Sequence, residues 1–149
     1  MATPLEARAS HARKPWTPLL FSAAWDTTGA SIADARAAVR TLLARAGHHP
    51  DQRPSQDAQL VVSELVTNAL RHAPGPGGLA LEVTSDAAVL RVTVSDSSPR
   101  PPELRAHDAG RIGGHGLRLV TRLCDQLQTV ALETGKRVVA HLRLYAPAR

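Results

Sequence analysis

Ser63-Glu64-Leu65-Val66-Thr67-Asn68-Ala69-Leu70-Arg71-His72 is the stretch on which the reading of this chain turns. In it and just before it, Ala58, Val61, Val62, Leu65, Val66 and Ala69 recur at three- and four-residue intervals, the spacing of one buried stripe on a helix. Glu64, Asn68 and His72 are each four residues from the last, so they share one edge beside that stripe. A carboxylate, an amide and an imidazole in line suit an oxygen-and-nitrogen site. They equally suit the solvated flank of an amphipathic helix, and spacing alone favours that plainer reading. The helix is predicted to begin near Ser55, with Pro54 just before it, and to run to about His72. Pro74-Gly75-Pro76-Gly77-Gly78 then breaks it.

Upstream, residues 1–15 combine Pro4, Pro15 and scattered charge without periodicity and are expected to form a flexible N-terminal arm. The apolar run within 16–25 is consistent with a first strand. A helix is predicted over about 30–46, capped by Thr28 or Ser31, with Ile32, Ala35, Val39, Leu42 and Leu43 at helical spacing and Gly47 and Pro50 as its stop. Downstream, 79–84 and 88–95 alternate as two strands joined through Ser85-Asp86. Residues 97–114, rich in Pro, Gly and charge, are expected to form a long binding loop or lid. A helix over about 116–127 should follow. The last hairpin is expected over 128–133 and 137–145, across Glu133-Thr134-Gly135-Lys136, with Lys136 a turn residue. This order predicts a two-layer α/β (α+β) sandwich with a mixed, mostly antiparallel sheet and its helices on one face, as one domain over 16–146.

Composition narrows the class. The chain has 149 residues, 43% of them hydrophobic, 21% charged and only 3% aromatic, so its core must be built from Leu, Val and Ala. A single cysteine, Cys124, excludes an internal disulfide, and its apolar surroundings favour inert packing. No run reaches the ~18 apolar residues a membrane helix needs, so a cytoplasmic protein with no membrane partner is expected. The formal charge of +5 is carried by scattered arginines, with Lys14 and Lys136 the only lysines. There is neither a basic run nor aromatic interleaving, so direct nucleic-acid binding is not expected.

Two further stretches could carry chemistry. Val92-Thr93-Val94-Ser95-Asp96 ends a β-branched strand on a carboxylate, which could accept a bond from an amino group; alone, Asp96 reads better as a turn residue. Gly110-Arg111-Ile112-Gly113-Gly114-His115-Gly116-Leu117 leads into a helix. Its glycines let backbone approach phosphate, the helix N-terminus offers free N–H groups, and Arg111 adds charge. No Lys-Ser/Thr pair follows the glycines, so this is not a Walker loop.

Taken together, the three stretches resemble the nucleotide-binding boxes of the gyrase/Hsp90/histidine-kinase/MutL (GHKL) ATPase superfamily over roughly residues 20–145. Ser63–His72 is similar to the asparagine box of its anti-sigma-factor serine/threonine-kinase branch, and Gly113-Gly114-His115-Gly116-Leu117-Arg118-Leu119-Val120 to the second glycine box. The resemblance implies a histidine-kinase-like ATPase fold that takes ATP and Mg²⁺. It makes Asn68 the metal ligand, Glu64 the general base or orienting group, and Asp96 the contact to the adenine amino group. Gly113, Gly114, Gly116 and their neighbours would cradle phosphate, with His72, Arg111, His115 and Leu117 counted among the nucleotide-binding residues. It further implies a sigma factor and a serine-bearing antagonist as protein partners, transcription regulation as the setting, and a homodimer as an assembly open to the chain. Two departures stand beside it. Asp96 is followed by Ser97-Ser98-Pro99 where the branch carries Asp-x-Gly-x-Gly, and Arg137 stands at or near the place where many members carry a threonine that assists adenine binding. These departures keep a second reading in view, a non-catalytic nucleotide-binding or protein-interaction module on the same fold.

Overall fold

The computed structural model describes residues 17–98 and 112–144, with side chains in the second segment from residue 118. The expected N-terminal arm and most of the expected lid, Arg111 included, lie outside the described residues.

The chain forms β1 (Leu19–Trp25), α1 (Ile32–Arg45), α2 (Arg53–His72), β2 (Gly77–Val83), β3 (Val89–Asp96), α3 (Ile112–Leu123), β4 (Gln126–Leu132) and β5 (Gly135–Arg143). The strands make one five-stranded sheet in the order β1-β2-β3-β5-β4. Among the described residues all four pairings are antiparallel, in line with the mostly antiparallel sheet expected. The crossover through α3 brings β5, rather than β4, beside β3, and this puts the ends of those two strands together.

Ser31 caps α1, its Oγ accepting the Asp34 N–H at 3.1 Å, and so satisfies one of the donors a helix start leaves open. Gly47, at φ +95, lets the chain leave α1 in a conformation that other residues rarely adopt. Helix α2 starts two residues earlier than the sequence suggests. Pro54 lies inside its first turn, where a missing N–H costs nothing. Every member of the predicted stripe from Ala58 to Ala69 is buried.

Alternation along the central strands orients the sheet. On β3, Leu90, Val92, Val94 and Asp96 are buried while Arg91 is exposed; on β5, Lys136, Val138, Ala140 and Leu142 are buried while Arg137 and Arg143 are exposed. The buried face joins the stripes of α1 and α2 and Val120 of α3 in one core. Side chains such as Leu43, Val62 and Leu81 are almost fully removed from water. Each contributes ~1.5–3 kcal/mol by that transfer. No helix among the described residues is long and apolar enough to cross a membrane.

Candidate functional site

Helix α2 supplies the first part of the site. Its buried stripe fixes its rotation against α1, α3 and the sheet, so the edge beside the stripe has a set direction. Glu64 and Asn68 on that edge are half-buried, and His72, a turn further on, is exposed. Among the described residues none of these three side chains makes a hydrogen bond or ion pair, so their polar atoms are left for water or a ligand. An amide oxygen in that state suits a hard cation such as Mg²⁺, which takes oxygen ligands and keeps several waters.

The glycine stretch differs from expectation. Gly113, Gly114, His115, Gly116 and Leu117 lie within the first turns of α3, which begins at Ile112, rather than in a loop ahead of a helix at 116. Glycine lowers helix propensity, but propensity is a weak prior that packing overrides. Here α3 is anchored against α2 and buries Val120 in the core. The helix also ends sooner, at Leu123. Cys124 follows it, half-buried, and burial pushes its thiol up to about 12, with the neighbouring Asp125 charge adding to the shift. A thiol so rarely ionised is a poor nucleophile, in keeping with inert packing.

The end of β3 is the most constrained part of the site. Asp96 closes the core-facing row of the strand and is only 7% exposed. Its Oδ1 accepts the Ser98 backbone N–H at 2.9 Å, turning the chain sharply after the strand. Ser97 Oγ donates to the Pro76 carbonyl at 2.7 Å, which ties that turn to the segment after α2. Oδ2 of Asp96 accepts from Lys136 Nζ at 2.7 Å, and both side chains are 3% exposed. In the sheet register Asp96 lies directly opposite Lys136. The approach is close enough that a Cβ on the adjacent Gly135 would sit 2.0 Å from the Asp96 carbonyl oxygen, so only glycine fits there.

This pair overturns one expectation. Lys136 is a buried member of β5, not a turn residue, because the turn is just Glu133-Thr134 and the strand starts at Gly135. The residue facing Asp96 is Lys136, whereas Arg137 points to the exposed face. A signal was available in the sequence. Lys136, Val138, Ala140 and Leu142 alternate as one row, and a lysine at the head of an apolar row needs a counter-charge once buried. The structure thus places Glu64, Asn68 and His72 in one line on α2, and sets Asp96 apart at the sheet's end with a cation already bound to it.

The family model of the histidine kinase-like ATPase domain matches residues 26–142, and the chain belongs to that family. Comparison with curated proteins found no match. Among solved structures, the chain is similar to the RsbU and RsbW domains of Rv1364c from Mycobacterium tuberculosis. The TM-score is 0.62 at 24% identity, over 89% of this chain and 34% of that one. It is also similar, more loosely, to the histidine kinase domain of the blue-light activated histidine kinase EL346 from Erythrobacter litoralis. There the TM-score is 0.47 at 26% identity, over 76% of this chain and 59% of that one. The chain therefore spans about a third of the Mycobacterium tuberculosis chain it matches. Its fold is that of the histidine kinase-like ATPase domain.

Proposed function

We propose that the chain is an ATP-binding regulatory protein that binds Mg–ATP beside α2 and transfers the γ-phosphoryl group to a serine of a small antagonist protein. The observation that carries this reading is the half-buried pair Glu64 and Asn68, without a partner among the described residues, on a helix whose rotation the core fixes. Asn68 Oδ1 would ligate Mg²⁺, which supplies charge compensation to the phosphates. Glu64, one turn earlier, orients the serine hydroxyl and takes its proton as the oxygen attacks the γ-phosphorus. The bond from that phosphorus to the β,γ-bridging oxygen breaks, and ADP leaves. The N–H groups that the start of α3 leaves open would meet the anionic ligand, and the resemblance adds Arg111 and His115 to the nucleotide-binding residues. Asp96 contacts the base. Positioning and charge compensation are most of what phosphoryl transfer asks of a protein.

The partner class, a sigma factor and its antagonist, rests on the resemblance of Ser63–His72 to the anti-sigma branch. A cytoplasmic setting and a homodimer belong to the same proposal. Calorimetric titration of ATP with and without Mg²⁺, on wild type and Asn68→Ala, tests the site. Mg²⁺-dependent binding lost in the variant is the expected result, and equal binding by both proteins would remove Asn68 from it.

One observation favours a second reading, a module of this fold that binds partners without phosphoryl transfer. The Asp96 carboxylate already holds Lys136 as its counter-ion. Incubation with labelled ATP and a serine-bearing partner separates the two, because labelled phosphoserine arises only under the first.

A further inference from the structure

The Asp96–Lys136 pair has bonding capacity left open among the described residues. A carboxylate offers about four lone-pair sites and an ammonium three N–H donors. Of these, Oδ1 uses one on Ser98 N–H, Oδ2 uses one on Nζ, and Nζ uses one hydrogen on Oδ2. Lys136 makes no other hydrogen bond or ion pair among the described residues. A charged donor with two unmet hydrogens and a carboxylate with open lone pairs therefore sit side by side. Both are almost dry, and unmet polar groups there are costly.

We infer that Lys136 sets the base preference of the nucleotide site, admitting guanine and hypoxanthine nucleotides at least as well as ATP. The inference rests on the reading of Asp96 as a base contact. Adenine meets the pair with one amino donor for the carboxylate and one ring nitrogen for the ammonium. A 6-oxopurine meets the pair with a carbonyl oxygen, which has two lone pairs for the ammonium, and with N1–H for the carboxylate. Guanine adds its 2-amino group beside N1–H, making a two-pronged contact with a carboxylate, the stronger form of charge-assisted bond. Lysine to the guanine O6 is also a common specific pairing wherever proteins read bases. Guanine therefore fills more of the open valences than adenine.

The test is calorimetric titration of the wild-type chain with ATP, GTP and ITP in Mg²⁺. The Kd for GTP should be equal to or below that for ATP, with ITP between them. Lys136→Met should shift the ratio towards ATP by tenfold or more, and Lys136→Arg, which keeps a charged donor, should shift it less. Because Lys136→Met strips Asp96 of its counter-ion, the double variant Asp96→Asn/Lys136→Met is measured beside it. That variant should lose the preference while keeping the wild-type circular dichroism. ATP bound more than tenfold tighter than GTP by the wild type would overturn the role of Lys136 and leave the Mg–ATP site standing. A GTP-to-ATP ratio unmoved in both variants would do the same. Binding of none of the three nucleotides at millimolar concentration would remove the nucleotide site itself, and this inference with it.

Discussion

An aspartate marks each end of the β3 hairpin segment, and the two are held in opposite ways. Asp86, in the turn from β2, is exposed. Its Oδ1 accepts the Thr84 hydroxyl at 2.7 Å and the Ala88 N–H at 3.0 Å, all within five residues of chain. The Thr84 bond, then the Ala88 bond, holds its carboxyl below the ordinary 3.8. Asp96, at the other end, is buried and binds a lysine 40 residues away in sequence. The first aspartate shapes a turn and has water as an alternative partner; the second has none. Local hydrogen bonding can be given up cheaply at one end of the strand, whereas removing a charge at the other leaves its partner stranded in the core.

That contrast can be broken most severely at Lys136. Lys136→Met should cost about 3–5 kcal/mol, the usual penalty for leaving a buried charge unpaired, read from urea unfolding. The double variant Asp96→Asn/Lys136→Met should recover most of it, since Asn Oδ1 can still accept the Ser98 N–H. If the single variant unfolds no more easily than wild type, the pair is not the anchor described. Gly135→Ala comes next. Its Cβ would meet backbone at 2.0 Å, so the β3–β5 ends must part, at ~3 kcal/mol.

At the Asp86 end the effects shrink. His48 is buried and its Nε2 lies 3.2 Å from the Ala87 carbonyl oxygen, pinning the turn to the end of α1. His48→Leu should cost ~1 kcal/mol, the net worth of one hydrogen bond, with faster amide exchange confined to the Thr84–Ala88 turn. Asp86→Ala should have the smallest effect. Because folding depresses the Asp86 pKa, its contribution is present above the unfolded carboxyl value and is lost as pH falls through the folded one. Melting curves of wild type and Asp86→Ala should differ slightly at neutral pH and converge in acid below 3.8. A difference that persisted there would mean the turn does not depend on the ionised carboxylate.

The same contrast explains what could be read from the sequence. Features set by neighbours in the chain were legible. The α2 stripe from Ala58 to Ala69 follows from helical period, and Ser31 and Gly47 bound α1 by capping chemistry. Asp86 was legible as a turn residue for the same reason. Features that depend on strands meeting across the sheet were not. Two residues of error in the β4–β5 turn moved Lys136 from the strand to the turn and hid the ion pair, since register is decided by pairing partners. The glycines at 113, 114 and 116 misled in the opposite sense. They look like a loop, and only packing of α3 on α2 makes them helix. Helical period alone sets Glu64, Asn68 and His72 on one edge, while their lack of partners among the described residues emerged only from the fold.

The thiol of Cys124 has a practical consequence. Burial pushes its pKa up to about 12, so the thiolate is scarce at neutral pH. A maleimide or spin-label reagent at neutral pH will therefore pass over it in favour of an exposed cysteine introduced elsewhere. A reporter dye can be attached at a chosen position on the outer strands, Ala24 for example, without first replacing the native residue, and the otherwise wild-type chain can be followed by fluorescence or distance measurement as ligand is added.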